Sequence, residues 1–420
     1  MNPRERVIAS LDHRSPDAVP VDFGATPITG MHCSCVAALR RHYGLEPRPV
    51  KVDEPYQMLG LIEEDLKQAI GVDVEGLLRN KTLFGFVNED WKPWRTPWGQ
   101  DVLVPRDFQT TTDYGGDVYI HPQGDLAAPA SGHMPKTGFF FDTIIRQPPI
   151  DEDRLDPRDN LEEFGPIDDD QLAHYRQGVT AAKNTGRAVI IALPGTSIGD
   201  IAHVPAPGLK RPKGIRDVAE WYMSLAARPD YVREVFAGQV EQAMTNLAAV
   251  HDAVGNDPDV VVLCGTDFGT QQSTFCSDET FRQMYMPYYR QMTDWIHRHT
   301  TWRVFKHSCG SVVSSLDAFL DAGFDILNPV QCSAAGMDPE HLKSKYGDRL
   351  VFWGGGVDTQ KVLPFGTPEQ VRRQVLERCE VFARDGGFVF NAIHNVQAKT
   401  PVENIVAMLD AVHEFNGQPV

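Results

Sequence analysis

In the second half of the chain, short runs of β-branched and aromatic residues alternate with amphipathic stretches at helical spacing. The runs cover residues 188–193, 259–264, 302–307, 325–330, 349–354 and 387–391, and each is almost continuously apolar. Continuous apolar runs suit parallel strands covered on both faces. Between them, residues 278–299, 311–322, 368–385 and 402–415 read as helices. Residues 19–23 supply a further strand, and one more is expected before Gly186, which approaches the eight of a closed barrel. The fold expected is α/β, a (β/α)8 TIM-type barrel. An open doubly wound sheet is the rival. Against it, no strand leads into a GxGxxG, and Gly354-Gly355-Gly356 runs into Val357-Asp358 as a tight turn would.

Residues 91–149 break this rhythm, being rich in Trp, Gly, Pro, Asp and Thr with β-type pieces at 100–104 and 117–121. They are expected to form a β-rich insertion, a lid over the barrel mouth, within a single domain spanning residues 1–420. With 42% hydrophobic and 23% charged residues the composition is that of a packed globular protein. The first twenty residues carry charges throughout and no apolar core, and no stretch reaches 18 apolar residues, so neither a secretory leader nor a membrane span is expected. Seven cysteines, an odd number, point to a reducing compartment, and the cytoplasm is the expected location. A net charge of −17 without a basic cluster excludes nucleic acid as a ligand and favours a small molecule or a protein partner.

The strongest chemical signal is Val304-Phe305-Lys306-His307-Ser308-Cys309-Gly310, a strand ending in His-x-Cys-Gly. Side chains two apart on an extended chain share a face, so the imidazole of His307 and the thiol of Cys309 can converge on one ion at the strand's carboxyl end. A catalytic Zn2+ takes three protein ligands and leaves a fourth position open. His394, directly after the last apolar run, is the candidate third ligand, and Cys332, beyond the run at 325–330, competes with it. A buried thiol and a hydrogen-bonded histidine at a turn explain the same residues without a metal. The loop Cys264 to Gln272 offers Asp267 as a catalytic group and Gln271 and Gln272 as substrate contacts. His32, Asn391 and Lys306 complete the substrate-facing candidates. Ser277-Asp278-Glu279 is an ordinary helix cap.

Taken together these residues resemble the uroporphyrinogen decarboxylase superfamily, and within it the cobalamin-linked methyltransferase branch. The resemblance rests on Asn2-Pro3-Arg4-Glu5-Arg6-Val7, Val19-Pro20-Val21, Gly354-Gly355-Gly356-Val357-Asp358, and the tail from His394 to Pro401-Val402-Glu403-Asn404. It implies a (β/α)8 barrel and a zinc site in which His307 and Cys309 match the branch's His-x-Cys. Lys399-Thr400-Pro401 is present, but His394 stands where the branch has cysteine. The decarboxylases hold their substrate with arginines after the first strand, and residues 22–30 contain none.

The resemblance therefore implies a zinc-dependent methyltransferase that moves a methyl group between an O-, N- or S-methyl small molecule, or a thiol, and a corrinoid cobalt. The cobalamin is expected on a partner corrinoid protein, because the chain lacks an Asp-x-His-x-x-Gly motif; a homodimer stays open. The alternative is a metal-free decarboxylase or lyase of a small carboxylic acid, with His394 as proton donor and Lys306 or Asp267 assisting.

Overall fold

A computed structural model describes residues 1–418. Seven parallel strands pair in chain order: β1 (Val74–Leu77), β2 (Ala188–Ala192), β3 (Val260–Cys264), β4 (Arg303–His307), β5 (Ile326–Asn328), β6 (Val351–Trp353) and β7 (Phe388–Val389). The ring closes through the segment around Val21, which contributes one parallel bridge to Phe390. On that side Asp22 N–H donates to Phe390 O at 2.9 Å and Phe390 N–H to Pro20 O at 2.7 Å; on the other, Asp73 N–H donates to Val21 O at 2.8 Å. The eight-membered barrel expected from the sequence is therefore present, with its first strand reduced to a short clasp. Asn416, just past the last helix (Val402–Phe415), holds that clasp from outside, accepting from Val19 N–H at 2.7 Å and donating to Val19 O at 3.0 Å.

Side chains of alternating parity separate two cores, as the strand period requires. Val74, Ile190, Val260, Phe305, Ile326, Val351, Trp353 and Val389 fill the barrel interior. Val7 and Leu11, from the helix Pro3–Leu11, join them, so that helix plugs the amino-terminal end and leaves the carboxyl end for chemistry. Residues of the other parity, such as Val189, Val261, Val304 and Phe352, pack outward against the helices. Gly76 lies where the first segment crosses β1: a Cβ there would sit 1.8 Å from Ala25 O. Gly76→Ala is accordingly expected to destabilise the fold by at least about 3 kcal/mol, since the clash is with backbone that cannot rotate away; a urea titration reads it directly.

The helices differ from the sequence pattern in one instructive place. The expected helix over 278–299 is two, Asp278–Met284 and Met286–His299, with a break at Tyr285. Pro287 sits in the first turn of the second helix, where its missing N–H costs nothing and its ring would have obstructed a continuous helix.

The β-rich stretch forms two small sheets. Lys92–Arg95 pairs antiparallel with Asp101–Val104, which runs parallel to Val50–Glu54, so this sheet also recruits residues before 91. Thr110–Thr112, Val118–Ile120, Gly132–Met134 and Asp142–Thr143 form an antiparallel meander. It is tied to the barrel by Gln123 donating to Gly208 O at 3.0 Å and Arg146 donating to Leu209 O at 2.6 Å and to Ala206 O at 2.7 Å. Among the described residues, no helix is long and apolar enough to cross a membrane.

Candidate metal centre

At the carboxyl end of β4 the strand parity turns His307 inward and Lys306 outward. His307 is 4% exposed, and Lys306 is fully buried. Asn328, ending the neighbouring strand β5, accepts from His307 Nδ1–H at 2.7 Å, while its own amide donates to Trp353 O at 2.9 Å. That second bond fixes which way the amide points. It leaves Oδ1 as acceptor, the His307 proton on Nδ1, and the lone pair on Nε2. Nε2 lies 3.4 Å from Cys309 Sγ.

Cys309 is held by its backbone. Its N–H donates to Asp267 Oδ1 at 2.7 Å, and that oxygen is 3.7 Å from His307 Nε2. The loop carrying Asp267 and the loop carrying Cys309 touch backbone to backbone: a Cβ on Gly269 would meet Cys309 O at 2.6 Å, and one on Gly310 would meet Gly269 O at 2.5 Å. Gly310 also has φ +87°, so no other residue serves at this contact without strain.

His394 comes from the segment after β7, across the closed ring. Its ring centroid is 5.3 Å from that of His307 with the planes at 77°. One ligand atom from each of His307, Cys309 and His394 lies within 4.8 Å of the others. Around a tetrahedral zinc, nitrogen and sulfur ligands sit about 3.5 Å apart, from bond lengths of about 2.0 and 2.3 Å. The His307–Cys309 separation already has that value, and closing the third side asks for a shift of about 1 Å. The donor set of two imidazoles and a thiol suits zinc.

Burial pushes the pKa of His307 down, partly offset by the Asp267 carboxylate and the Asn328 bond. Burial, reinforced by His307, pushes His394 down to about 3. Both imidazoles are thus neutral, as metal ligands must be. Burial, joined by the charge of Asp267, pushes the Cys309 thiol well above its usual value, so it carries its proton until a cation replaces it. Asn395 N–H donates to His394 Nδ1 at 2.8 Å, which places that ring's proton on Nε2. Ligation by Nε2 therefore requires the ring to give up this bond or its proton.

A cavity of about 340 Å³ opens beside Cys309 and His394, with Gln271, Gln331, Gln360 and Gln397 on its walls. Gln271 lines this cavity, whereas Gln272 is exposed in the adjoining turn, its N–H donating to Thr270 Oγ1 at 3.2 Å. Three other residues expected to face substrate do not. Lys306 points between barrel and helices, 3.1 Å from Cys264 Sγ and with its ammonium 4.4 Å from the Phe268 ring centroid and 4.5 Å from that of Phe319. His32 caps the helix Cys33–His42, accepting from Ser34 N–H at 3.1 Å, and its Nε2 reaches Phe139 O at 2.9 Å. Asn391 is buried in the clasp, donating to Asp22 O at 2.6 Å. Cys332 lies outside the three-residue cluster, with its thiol 3.4 Å from Val330 O.

The sequence reading missed Asn328, which orients His307, and Gln331, Gln360 and Gln397, which line the cavity; none belongs to a local motif.

The family model described as Uroporphyrinogen decarboxylase (URO-D) matches residues 213–415. Among curated relatives, the uroporphyrinogen decarboxylase of Psychromonas ingrahamii is 31% identical over 105 residues, and that of Methylococcus capsulatus is 33% identical over 101 residues. Each match covers 24% of this chain and spans only 27% of the relative's length. In architecture the chain is similar to a methyltransferase from Methanosarcina mazei, with a TM-score of 0.55 and 15% identity over 99% of both chains. At that identity the likeness concerns the fold.

Proposed function

Because residues 213–415 match the family model described as Uroporphyrinogen decarboxylase (URO-D), we propose that the chain is a zinc-dependent methyltransferase working with a corrinoid carried by a partner protein. The observation that carries this reading is the convergence of His307, Cys309 and His394 to within 4.8 Å. The similarity in fold to a methyltransferase agrees with it. When bound, zinc supplies Lewis acidity to the heteroatom that bears the methyl group. The chain's own residues do the positioning. Asn328 orients His307, Asp267 fixes the Cys309 backbone, and Gln271 with its glutamine neighbours offers neutral hydrogen bonds to substrate. A reduced corrinoid presented by the partner would supply the electron-rich acceptor for the methyl group, and the cavity beside Cys309 and His394 would hold the methyl donor. The β-rich region at 91–149, tied to loops at the carboxyl face, is the proposed cover of the pocket within one barrel domain.

The test is elemental analysis of the purified chain together with methyl transfer to reduced cobalamin from methoxylated aromatics and methylated amines. One zinc per chain and cobalt methylation by at least one donor class are expected. A chain that binds no zinc, or binds it and methylates cobalt from none of these donors, rules the reading out.

Asn328→Ala should weaken zinc binding by about 10- to 100-fold, because the ring of His307 loses the partner that fixes its tautomer. A chelator competition assay measures it.

A second reading has one observation in its favour. The Asn395 bond to His394 Nδ1 leaves an N–H on Nε2 directed into the cluster, which suits a proton donor in a metal-free decarboxylase or lyase. Absence of zinc together with carbon dioxide release from a small carboxylic acid would select it.

A further inference from the structure

Among the described residues, eight asparagine and glutamine side chains are buried. Seven of them donate from the amide nitrogen to a backbone carbonyl, as Asn328 does to Trp353 O at 2.9 Å, Gln239 to Gly195 O at 2.8 Å and Asn404 to Leu363 O at 2.8 Å. Gln331, 7% exposed, is the exception. Its Oε1 accepts from Gly310 N–H at 2.7 Å. Turning the amide over would set donor against donor, so this bond fixes the oxygen toward Gly310 and the NH2 group on the other side. Nε2 has no partner among the described residues. It also keeps open surface, since it is not one of the side-chain atoms shut away without a partner. The open space that Gln331 borders is the cavity beside Cys309 and His394.

The surroundings decide what this group can hold. Gly310 adjoins Cys309, so the amide is anchored one residue from the thiol of the metal centre. No Lys, Arg, Asp or Glu side chain among the described residues lines the cavity; amides, threonines and Ile393 do, together with Cys309 and His394. Asp267 stays off the wall, its Oδ1 accepting from Cys309 N–H at 2.7 Å. When zinc is held, the Cys309 thiolate and the Asp267 carboxylate balance its charge, so the centre adds no preference for an ion. An NH2 group donates and cannot accept, so it selects an acceptor. An ion entering this space gives up water without meeting an opposite charge on the walls, which costs more than burying a neutral polar group.

We propose, resting on the methyl-transfer reading for the nature of the ligand, that Gln331 is a specificity-determining residue: it donates from Nε2 to an oxygen of the molecule bound beside Cys309, and that molecule is an uncharged O-methyl compound. A methylated alkylamine is an ammonium at neutral pH, with no lone pair to accept from Gln331 and no counter-ion on the walls. A thioether sulfur accepts only weakly. A carboxylate accepts well but arrives as an unpaired charge. An ether or hydroxyl oxygen is both neutral and an acceptor, and it alone meets both conditions.

Ligand-observed NMR titration of the metal-free full chain with two series of similar shape provides the test. One is methoxyethanol, methoxyacetate and methoxyethylammonium; the other is ortho-methoxyphenol, ortho-methoxybenzoate and ortho-methoxybenzylammonium; each includes the thioether analogue of its neutral member. In at least one series the neutral ether should bind at least about tenfold more tightly than either ion. It should bind about two- to tenfold more tightly than the thioether, the worth of one hydrogen bond. Gln331→Met should weaken binding of that ether at least about fivefold, because its oxygen is left unpaired. Gln331→Glu keeps an acceptor for Gly310 N–H and replaces the donor by an anion. At pH 8, where a carboxyl group is ionised, it should turn the preference toward the ammonium member, which mere damage to the loop would not do. It serves alone if the methionine variant does not fold. Cys332→Ser, at the next residue, should bind as the parent does. An ether bound no better than the ions in both series, a thioether bound equally well, no ether bound at all, undiminished ether affinity in the Gln331 variants, or equal weakening in Cys332→Ser would each overturn the proposal. Neither zinc nor cobalt enters the measurement, so a chain that shows this selectivity yet transfers no methyl group would refute the proposed function and leave the recognition by Gln331 standing.

Discussion

Cys309→Ser should reduce zinc affinity by more than about 100-fold and abolish methyl transfer to cobalt. The estimate follows from the geometry. Losing a partner that only orients a ligand costs about 10- to 100-fold, so losing one of three ligands must cost more. A serine hydroxyl is of similar size but has to shed a far less acidic proton to coordinate. Among the described residues the thiol's hydrogen-bond partner is His307 Nε2, at 3.4 Å, and serine is near it in size, while the backbone of residue 309 stays fixed by Asp267, so the fold should be indifferent to the change. Cys332→Ser is the control, because its thiol lies outside the cluster, 3.4 Å from Val330 O, and zinc content should not move. Equal zinc loss in both variants would mean that the third ligand is a thiol and that His394 is not part of the centre.

The second large effect concerns Asp22, a carboxyl group within the barrel ring. It is fully buried and accepts from Trp353 Nε1–H at 2.9 Å and from Ala25 N–H at 3.2 Å. Burial outweighs these bonds and raises its pKa from 3.8 to about 6. A raised pKa means that the folded chain binds the proton more tightly than the unfolded one. The stabilising contribution is therefore complete below about pH 4 and is lost as pH climbs through about 6. A shift of about two units corresponds to roughly 3 kcal/mol. Asp22→Asn keeps the acceptor for Trp353 and has nothing to ionise. Its stability relative to the parent should rise by roughly 3 kcal/mol between pH 4 and pH 8, measured as the difference between paired urea titrations. A difference that stays constant with pH would show that Asp22 is ionised in the folded chain.

Much of the barrel could be read from the chain because parallel strands buried on both faces leave unbroken apolar runs. All six runs of the second half are strands, each shorter than its run by a residue or more at one end or both. The His307/Cys309 pair was legible for the same reason: spacing of two on an extended backbone is a geometric constraint. The same parity rule also turns Lys306 away from His307, so its outward position was available in the sequence. The short clasp at Val21 was harder, since its pairing depends on Phe390, far along the chain. The break at Tyr285 was announced by Pro287 but masked by strong helical periodicity on both sides.

The stitch between Val19 and Asn416 spans 397 residues. During synthesis the opening segment emerges first, and its mates at Phe390 and Asn416 last. Until then the Val21 segment and β7 are open edges, with backbone donors and acceptors ready to pair with any passing strand. Closure of the ring therefore waits on its most distant strand, and with it the meeting of His307 and His394.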